Sequence, residues 1–163
     1  MLAFRISSLF LGASLVAFAL GATALLLGTA LAAGPAGATA PRYGAFKTPS
    51  GNIVCGYGYG GTISPAFVEC GIRSGLKPAP KNTCTDIDYS GKRVSLTATG
   101  RAVPVVCAGD PGPFLSLPTA RVLAYGRSWK GAGIMCTSRR TGLTCRNLRG
   151  HGFFLSREHW RSF

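Results

Sequence analysis

Acidic residues are scarce in this sequence. Five Asp and Glu stand against 18 Lys and Arg, which gives a formal net charge of +13 over 163 residues. Such an imbalance excludes an evenly charged surface and favours attraction to polyanions or anionic surfaces. A basic surface that is only solvated would produce the same composition, so the charge by itself leaves both interpretations open.

Histidine is nearly absent, and the familiar hydrolase motifs G-x-S-x-G and H-x-x-E-H do not occur. Acid–base cleavage of RNA would need two imidazoles, one acting as base and the other as acid. The two histidines, His151 and His159, have no spacing that would bring them together. A small hydrolase such as a nuclease using His151 is therefore kept as an alternative, and an enzyme is the less favoured interpretation.

The CxxC pairs that usually form structural zinc sites are also missing, so we predict no metal and no cofactor. An even number of cysteines in a short exported chain indicates three disulfides. We expect sequential pairing, because short spacings join neighbouring cysteines across hairpins, although six cysteines allow fifteen pairings. The predicted pairs are Cys55–Cys70, Cys84–Cys107 and Cys136–Cys145. The pattern constrains Cys84–Cys107 least.

The N-terminus has the three parts of a secretory signal: a basic start, a long apolar run over residues 9–33 and small residues after it. We predict a signal peptide over residues 1–32, a linker over 33–45 and a single disulfide-rich β domain over 46–163. The apolar run is also long enough to span a bilayer, so retention as an anchor stays open. The expected location is secreted or extracytoplasmic, with membrane contact only through the N-terminal segment.

After residue 40 no stretch keeps a helical period, while short β-branched segments alternate with Gly and Pro turns. This pattern predicts an all-β fold after the signal helix: a small disulfide-stapled sandwich or partly open barrel built from hairpins. The first hairpin has strands near 53–55 and 67–70, separated by a GYGYGG loop. The second returns over 102–107, where Pro104 indicates an edge strand. We also expect a helical turn at the C-terminus, capped by Ser156.

The third hairpin carries an unusual density of arginine. With Cys136 opposite Cys145, residues 139–142 form the turn, and Gly142 suits its left-handed position. Because arginine forks match phosphate and carboxylate groups, we predict an anion clamp here. A solvated turn is the competing interpretation. The predicted anion-binding residues are Arg139, Arg140, Arg146 and Arg149.

Several stretches are similar to a family of small exported actinobacterial proteins described only as a domain of unknown function. The resemblance covers residues 46–163 and implies export, intramolecular disulfides and a compact β domain. It implies no activity, so no catalytic residue is carried over. The stretches are FKTPSGNIVC (46–55), CAGD (107–110), LAYG (123–126), CTS (136–138), GLTCRN (142–147) and GHGFFLSR (150–157).

Together these features predict an exported cationic β domain that serves as a binding or interaction module. Its partner would be an anionic envelope polymer, lipid head groups or an acidic protein, and nucleic acid is not favoured. The alternatives are the small hydrolase and a structural or inhibitor-like protein whose charge is incidental.

Overall fold

The structure is a computed structural model that describes residues 40–163. In this range the chain is all-β, as expected, with eleven strands in two sheets and one short 3₁₀ helix, Gly112–Ser116. The predicted signal peptide and residues 33–39 of the linker lie outside the described residues. Within 40–163 no helix has the length and apolar character needed to cross a bilayer.

The first sheet contains the six strands that come first in the chain, in the spatial order β5-β4-β3-β2-β1-β6. Neighbours are antiparallel except for β1 and β6, which are parallel. The predicted edge strand containing Pro104 is confirmed, because β5 is the outermost strand. The strands are β1 Arg42–Lys47, β2 Ile53–Gly60, β3 Ile63–Ile72, β4 Tyr89–Thr97, β5 Val103–Cys107 and β6 Arg121–Val122.

The second sheet contains the remaining five strands, all antiparallel, in the spatial order β11-β10-β9-β8-β7. Each strand lies beside its neighbour in sequence, so the sheet is a simple meander. The strands are β7 Ser128–Gly131, β8 Ile134–Arg139, β9 Gly142–Asn147, β10 Gly152–Leu155 and β11 Trp160–Ser162.

Alternate residues of both sheets meet in one apolar core, which makes the fold a sandwich rather than a barrel. Two of the disulfides lie in this core, each joining directly opposite residues of a hairpin: Cys55–Cys70 between β2 and β3, and Cys136–Cys145 between β8 and β9. The third, Cys84–Cys107, ties the segment before β4 to the end of β5. The sequential pairing is confirmed.

Two local expectations were wrong. The linker was expected to reach residue 45, but β1 already begins at Arg42 and pairs with β2. The GYGYGG segment was expected to be a loop, yet β2 continues through it to Gly60. Tyr57 explains the difference, because its ring packs 4.5 Å from that of Trp129 and so draws the segment into the sandwich.

The outer face of the first sheet is covered by the 3₁₀ helix. Phe114 of that helix lies directly over Gly71 of β3, where any Cβ would come within 2.5 Å of the ring. Pro113 lies over Gly56 of β2 with more room, since an added Cβ there would stand at an ordinary contact distance of 3.8 Å from the proline. Glycine is therefore needed at position 71 for the close approach of the helix, which shields this face from solvent.

Candidate functional site

A groove with a volume of about 660 Å³ lies at one end of the second sheet. We call it the arginine groove. Four segments far apart in sequence line it: the β1–β2 turn, the chain before β7, the β8–β9 turn and the β10–β11 turn. Its polar lining residues are Thr48, Ser50, Asn52, Tyr125, Arg139, Arg140, Thr141, Ser156, Arg157, Glu158 and His159.

The β8–β9 hairpin positions two of the predicted anion-binding residues in this groove. The predicted register is confirmed, with Cys136 opposite Cys145 and Arg139 opposite Gly142. The turn is shorter than expected, because only Arg140 and Thr141 lie between the last paired residues. Both arginines are exposed, and the Arg140 guanidinium lies 5.3 Å from the centre of the Tyr125 ring, a cation–π contact.

Gly142 has the positive φ expected at this hairpin, at 147°. A Cβ there would collide with the carbonyl oxygen of Leu155 and lie 2.8 Å from the Phe154 ring. The glycine therefore lets β10 approach the base of the arginine turn. As a result Phe154, which lines the groove, lies directly beside that turn.

The β10–β11 turn contributes Arg157 and His159. A helical turn was expected here, but no helix forms, because β11 begins at Trp160 and pulls the chain back into the sheet. Ser156 still caps the turn: its Oγ accepts hydrogen bonds from the backbone N–H of Glu158 at 3.2 Å and of His159 at 3.0 Å. The His159 ring lies 5.1 Å from that of Phe154.

Hydroxyl groups of the β1–β2 turn lie on another side of the groove. Thr48 is buried, and its Oγ1 accepts a hydrogen bond from the backbone N–H of Ile53 at 3.3 Å. The Ser50 Oγ accepts one from the N–H of Asn52, also at 3.3 Å. Gly51, with φ at 67°, closes this tight turn. These bonds fix the hydroxyls relative to the sheet, so this side of the groove is preformed.

The charge of the groove is predominantly positive. Arg139, Arg140 and Arg157 line it, and Glu158 is the one carboxylate among the described lining residues. Hydrogen bonds from its own backbone N–H and from Ser156 lower the pKa of Glu158 below 4.5, so this side chain stays ionised at neutral pH. Three guanidinium groups therefore face one carboxylate, which leaves the groove able to accept an anion.

The four arginines predicted as one clamp do not form one cluster. Arg139 and Arg140 line the groove, whereas Arg146 and Arg149 lie toward the other end of β9. The intervening strand has six residues, which corresponds to about 17–20 Å. That Arg157 and His159 also line the groove could not be predicted from the sequence, because their proximity to the hairpin depends on the path of β10 and β11.

The two histidines are likewise at opposite ends of a strand. His151 precedes β10, where its backbone N–H donates to the Asn147 Oδ1 at 3.1 Å, and His159 follows that strand. The four residues of β10 separate the two histidines, so the fold does not bring them together as a pair. Among residues 40–163 no group of three His, Cys, Asp or Glu side chains is placed to hold a metal ion.

A second polar cluster lies on the outer face of the first sheet. The buried Arg93 Nη1 lies 3.2 Å from Glu69 Oε1 and 2.9 Å from Asp110 Oδ1. Burial raises the pKa of Glu69 above 4.5, although the charge of Arg93 opposes this. The hydrogen bond from Arg93 lowers the pKa of the exposed Asp110 below 3.8. Two carboxylates balance the charge of this arginine through its Nη1, which favours a structural role for the cluster.

Comparison with curated proteins and with solved structures gives no match. A family match does exist, and it covers the apolar end of the N-terminal segment together with every strand described above. The chain belongs to DUF6636, a family of unknown function, whose sequence model matches residues 24–163.

Proposed function

We propose that this protein is an exported binding protein whose arginine groove holds an anionic envelope polymer. The observation that carries the proposal is the convergence of Arg139, Arg140 and Arg157 in a groove with one carboxylate. Guanidinium groups bind phosphate and carboxylate through paired hydrogen bonds, and the hydroxyls of Thr48 and Ser50 lie in the same groove.

The rings lining the groove suit a polymer that contains sugar or polyol units. Tyr125 and Phe154 line the groove beside the arginines, and aromatic rings pack against the apolar sides of sugars. An anionic glycan or polyol phosphate offers both chemistries in one repeating unit. The groove is open, so a chain longer than one unit can continue beyond it.

Export is supported by the disulfides. Three of them lie within residues 40–163, and structural disulfides persist in oxidising compartments. A partner in the cell envelope would share that compartment. The basic start and apolar run of the N-terminus agree with the same proposal.

Binding of a glycerol phosphate polymer tests the proposal. We expect the affinity of the wild-type chain to fall steeply as salt rises, because ionic contacts dominate. The substitutions Arg139→Ala and Arg140→Ala together should weaken binding by at least about tenfold, which corresponds to roughly 1.4 kcal/mol. Isothermal titration calorimetry at several salt concentrations measures both effects.

A matched control separates the groove from general charge. Arg42→Ala with Arg101→Ala removes the same charge from two exposed positions, in β1 and in the β4–β5 connection, that do not line the groove. That variant should bind nearly as well as wild type, and both double variants should melt within a few degrees of it. Equal losses of affinity in the two variants would mean that the whole basic surface binds polyanions non-specifically and that the groove is not a specific site.

A further inference from the structure

The end of the second sheet opposite the arginine groove presents apolar and cationic side chains together. Across β7, β8 and β9, Lys130 pairs with Met135 and Met135 pairs with Arg146, so the three side chains lie in one outward-facing row. Met135 is 42% exposed between the two cations. Continuing across the sheet, the Arg146 guanidinium lies 5.0 Å from the centre of the Phe163 ring.

The adjoining turn holds a leucine out into solvent. Leu148, in the turn between β9 and β10, is 88% exposed, and its N–H bonds to the Gly133 carbonyl at 3.1 Å. The buried Asn147 fixes this turn, because its Oδ1 accepts hydrogen bonds from the N–H groups of Arg149 and His151, both at 3.1 Å. Leu148 is therefore a rigidly presented apolar group rather than part of a frayed loop.

The same asparagine ties the turn to the other sheet. Its Nδ2 donates to the carbonyl oxygens of Thr97 and Gly100, at 3.0 Å and 2.8 Å. The position of Leu148 is thus fixed against the β4–β5 connection as well as within its own sheet. Five hydrogen bonds, four of them made by Asn147, hold the backbone of this turn, so Leu148 can insert with little further loss of backbone entropy.

We propose that this end of the sheet docks on an anionic lipid bilayer. Leu148 and Met135 would enter the boundary between head groups and acyl chains, while Lys130, Arg146 and Arg149 contact lipid phosphates. Charge complementarity favours this occupant. Lys130 and Arg146 flank Met135, and the exposed Arg149 follows Leu148 in the turn. The segment 121–163 has nine Lys and Arg but one acid, Glu158, which lies at the groove end.

A bilayer fits these side chains better than a nucleic acid does. Leucine and methionine gain by leaving water for an acyl environment but offer no ring for stacking a base. Phe163 is the one aromatic residue of the row, and its ring is already contacted by Arg146 and by Arg161 at 5.2 Å. This docking is separate from the membrane contact expected of the N-terminal segment, and it does not depend on the arginine groove.

Oxidation of Met135 by peroxide tests the proposal in the full chain. The sequence contains two methionines, Met1 and Met135, so mass spectrometry resolves this site cleanly. We expect phosphatidylglycerol vesicles to slow oxidation of Met135 severalfold, and phosphatidylcholine vesicles to leave it unchanged. An N-terminal segment that inserts into both kinds of vesicle would not produce this difference.

Two variants identify the groups responsible. Leu148→Ser should abolish most of the protection, whereas Leu115→Ser, at a residue 77% exposed on the 3₁₀ helix, should retain it. The proposal is overturned if Met135 oxidises equally with and without phosphatidylglycerol vesicles, or if Leu148→Ser is protected as wild type is. It is also overturned if polyglutamate or a single-stranded oligonucleotide protects Met135 as well as the vesicles do, because the surface would then recognise charge alone.

Discussion

The two sheets share one core but present opposite kinds of outer face. The first sheet is covered by a 3₁₀ helix, and its buried Arg93 is neutralised by Glu69 and Asp110. The second sheet presents Lys130, Arg146 and Arg161 to solvent. Both ion pairs found in residues 40–163 belong to the first sheet.

This difference separates structural charge from charge that is available to a ligand. Residues 40–120 contain eight Lys and Arg with four acids, whereas residues 121–163 contain nine with one. Unpaired cations repel one another and contribute little to folding. The net charge of residues 40–163 is therefore concentrated where stability does not require it, which supports the proposal that residues 121–163 carry the binding surfaces.

The largest effect is expected from the two faces of β10. Phe153 is completely buried in the core, while its neighbour Phe154 faces outward and is half buried. Phe153→Ala should lower the free energy of unfolding by about 4 kcal/mol, because it leaves a cavity. Phe154→Ala should cost about 1 kcal/mol. Urea unfolding measures both free energies. Equal losses would mean that Phe154 is packed as tightly as Phe153 and that the outer face of β10 is not accessible.

The same substitution in each sheet compares the two kinds of arginine. Arg93→Met leaves the partly buried Glu69 without its counterion and should lower the free energy of unfolding by about 3 kcal/mol. Arg146→Met, on the open face, should change it by about 1 kcal/mol or less. Thermal and urea unfolding of both variants check this. If Arg93→Met changes the free energy of unfolding as little as Arg146→Met does, the buried arginine does not stabilise the fold more than the exposed one.

The carboxylates on Arg93 should give pH dependences of opposite sign. Because the pKa of Asp110 is lowered in the fold, its contribution to stability is present above about pH 3.8 and is lost as the pH falls through the lowered value. Asp110→Asn should therefore be less stable than wild type at neutral pH, and the difference should shrink in acid.

The raised pKa of Glu69 has the reverse consequence. Its contribution favours folding below about pH 4.5 and is lost as the pH rises through the raised value. Glu69→Gln should therefore gain stability relative to wild type on going from acid to neutral pH. Urea unfolding at several pH values measures both variants, and parallel pH profiles for the two would contradict the assignment.

Much of the fold could be predicted because its determinants are local. Cysteine pairing, the register of β8 and β9 and the edge position of Pro104 all follow from neighbouring residues. The extension of β2 through GYGYGG could not be predicted in this way. It depends on packing of Tyr57 against Trp129, which is 72 positions away.

The candidate site was predictable only in part for the same reason. Arg139 and Arg140 are adjacent in a hairpin that the cysteines define. Their companions Thr48, Tyr125 and Arg157 come from other segments, and only tertiary packing brings them to the groove. Conversely, Arg146 and Arg149 are close in sequence to the hairpin tip but are separated from it by the length of a strand.

The order of the cysteines has a consequence for how the protein acquires its covalent structure. Each disulfide joins a cysteine to the next one along the chain. In a polypeptide that emerges N-terminus first, every second thiol to appear finds a single unpaired predecessor. Cys55 and Cys70 can close before Cys84 is present, and the later pairs follow in turn. The order of the cysteines therefore makes the native disulfide the first one that can form at each step as the chain emerges.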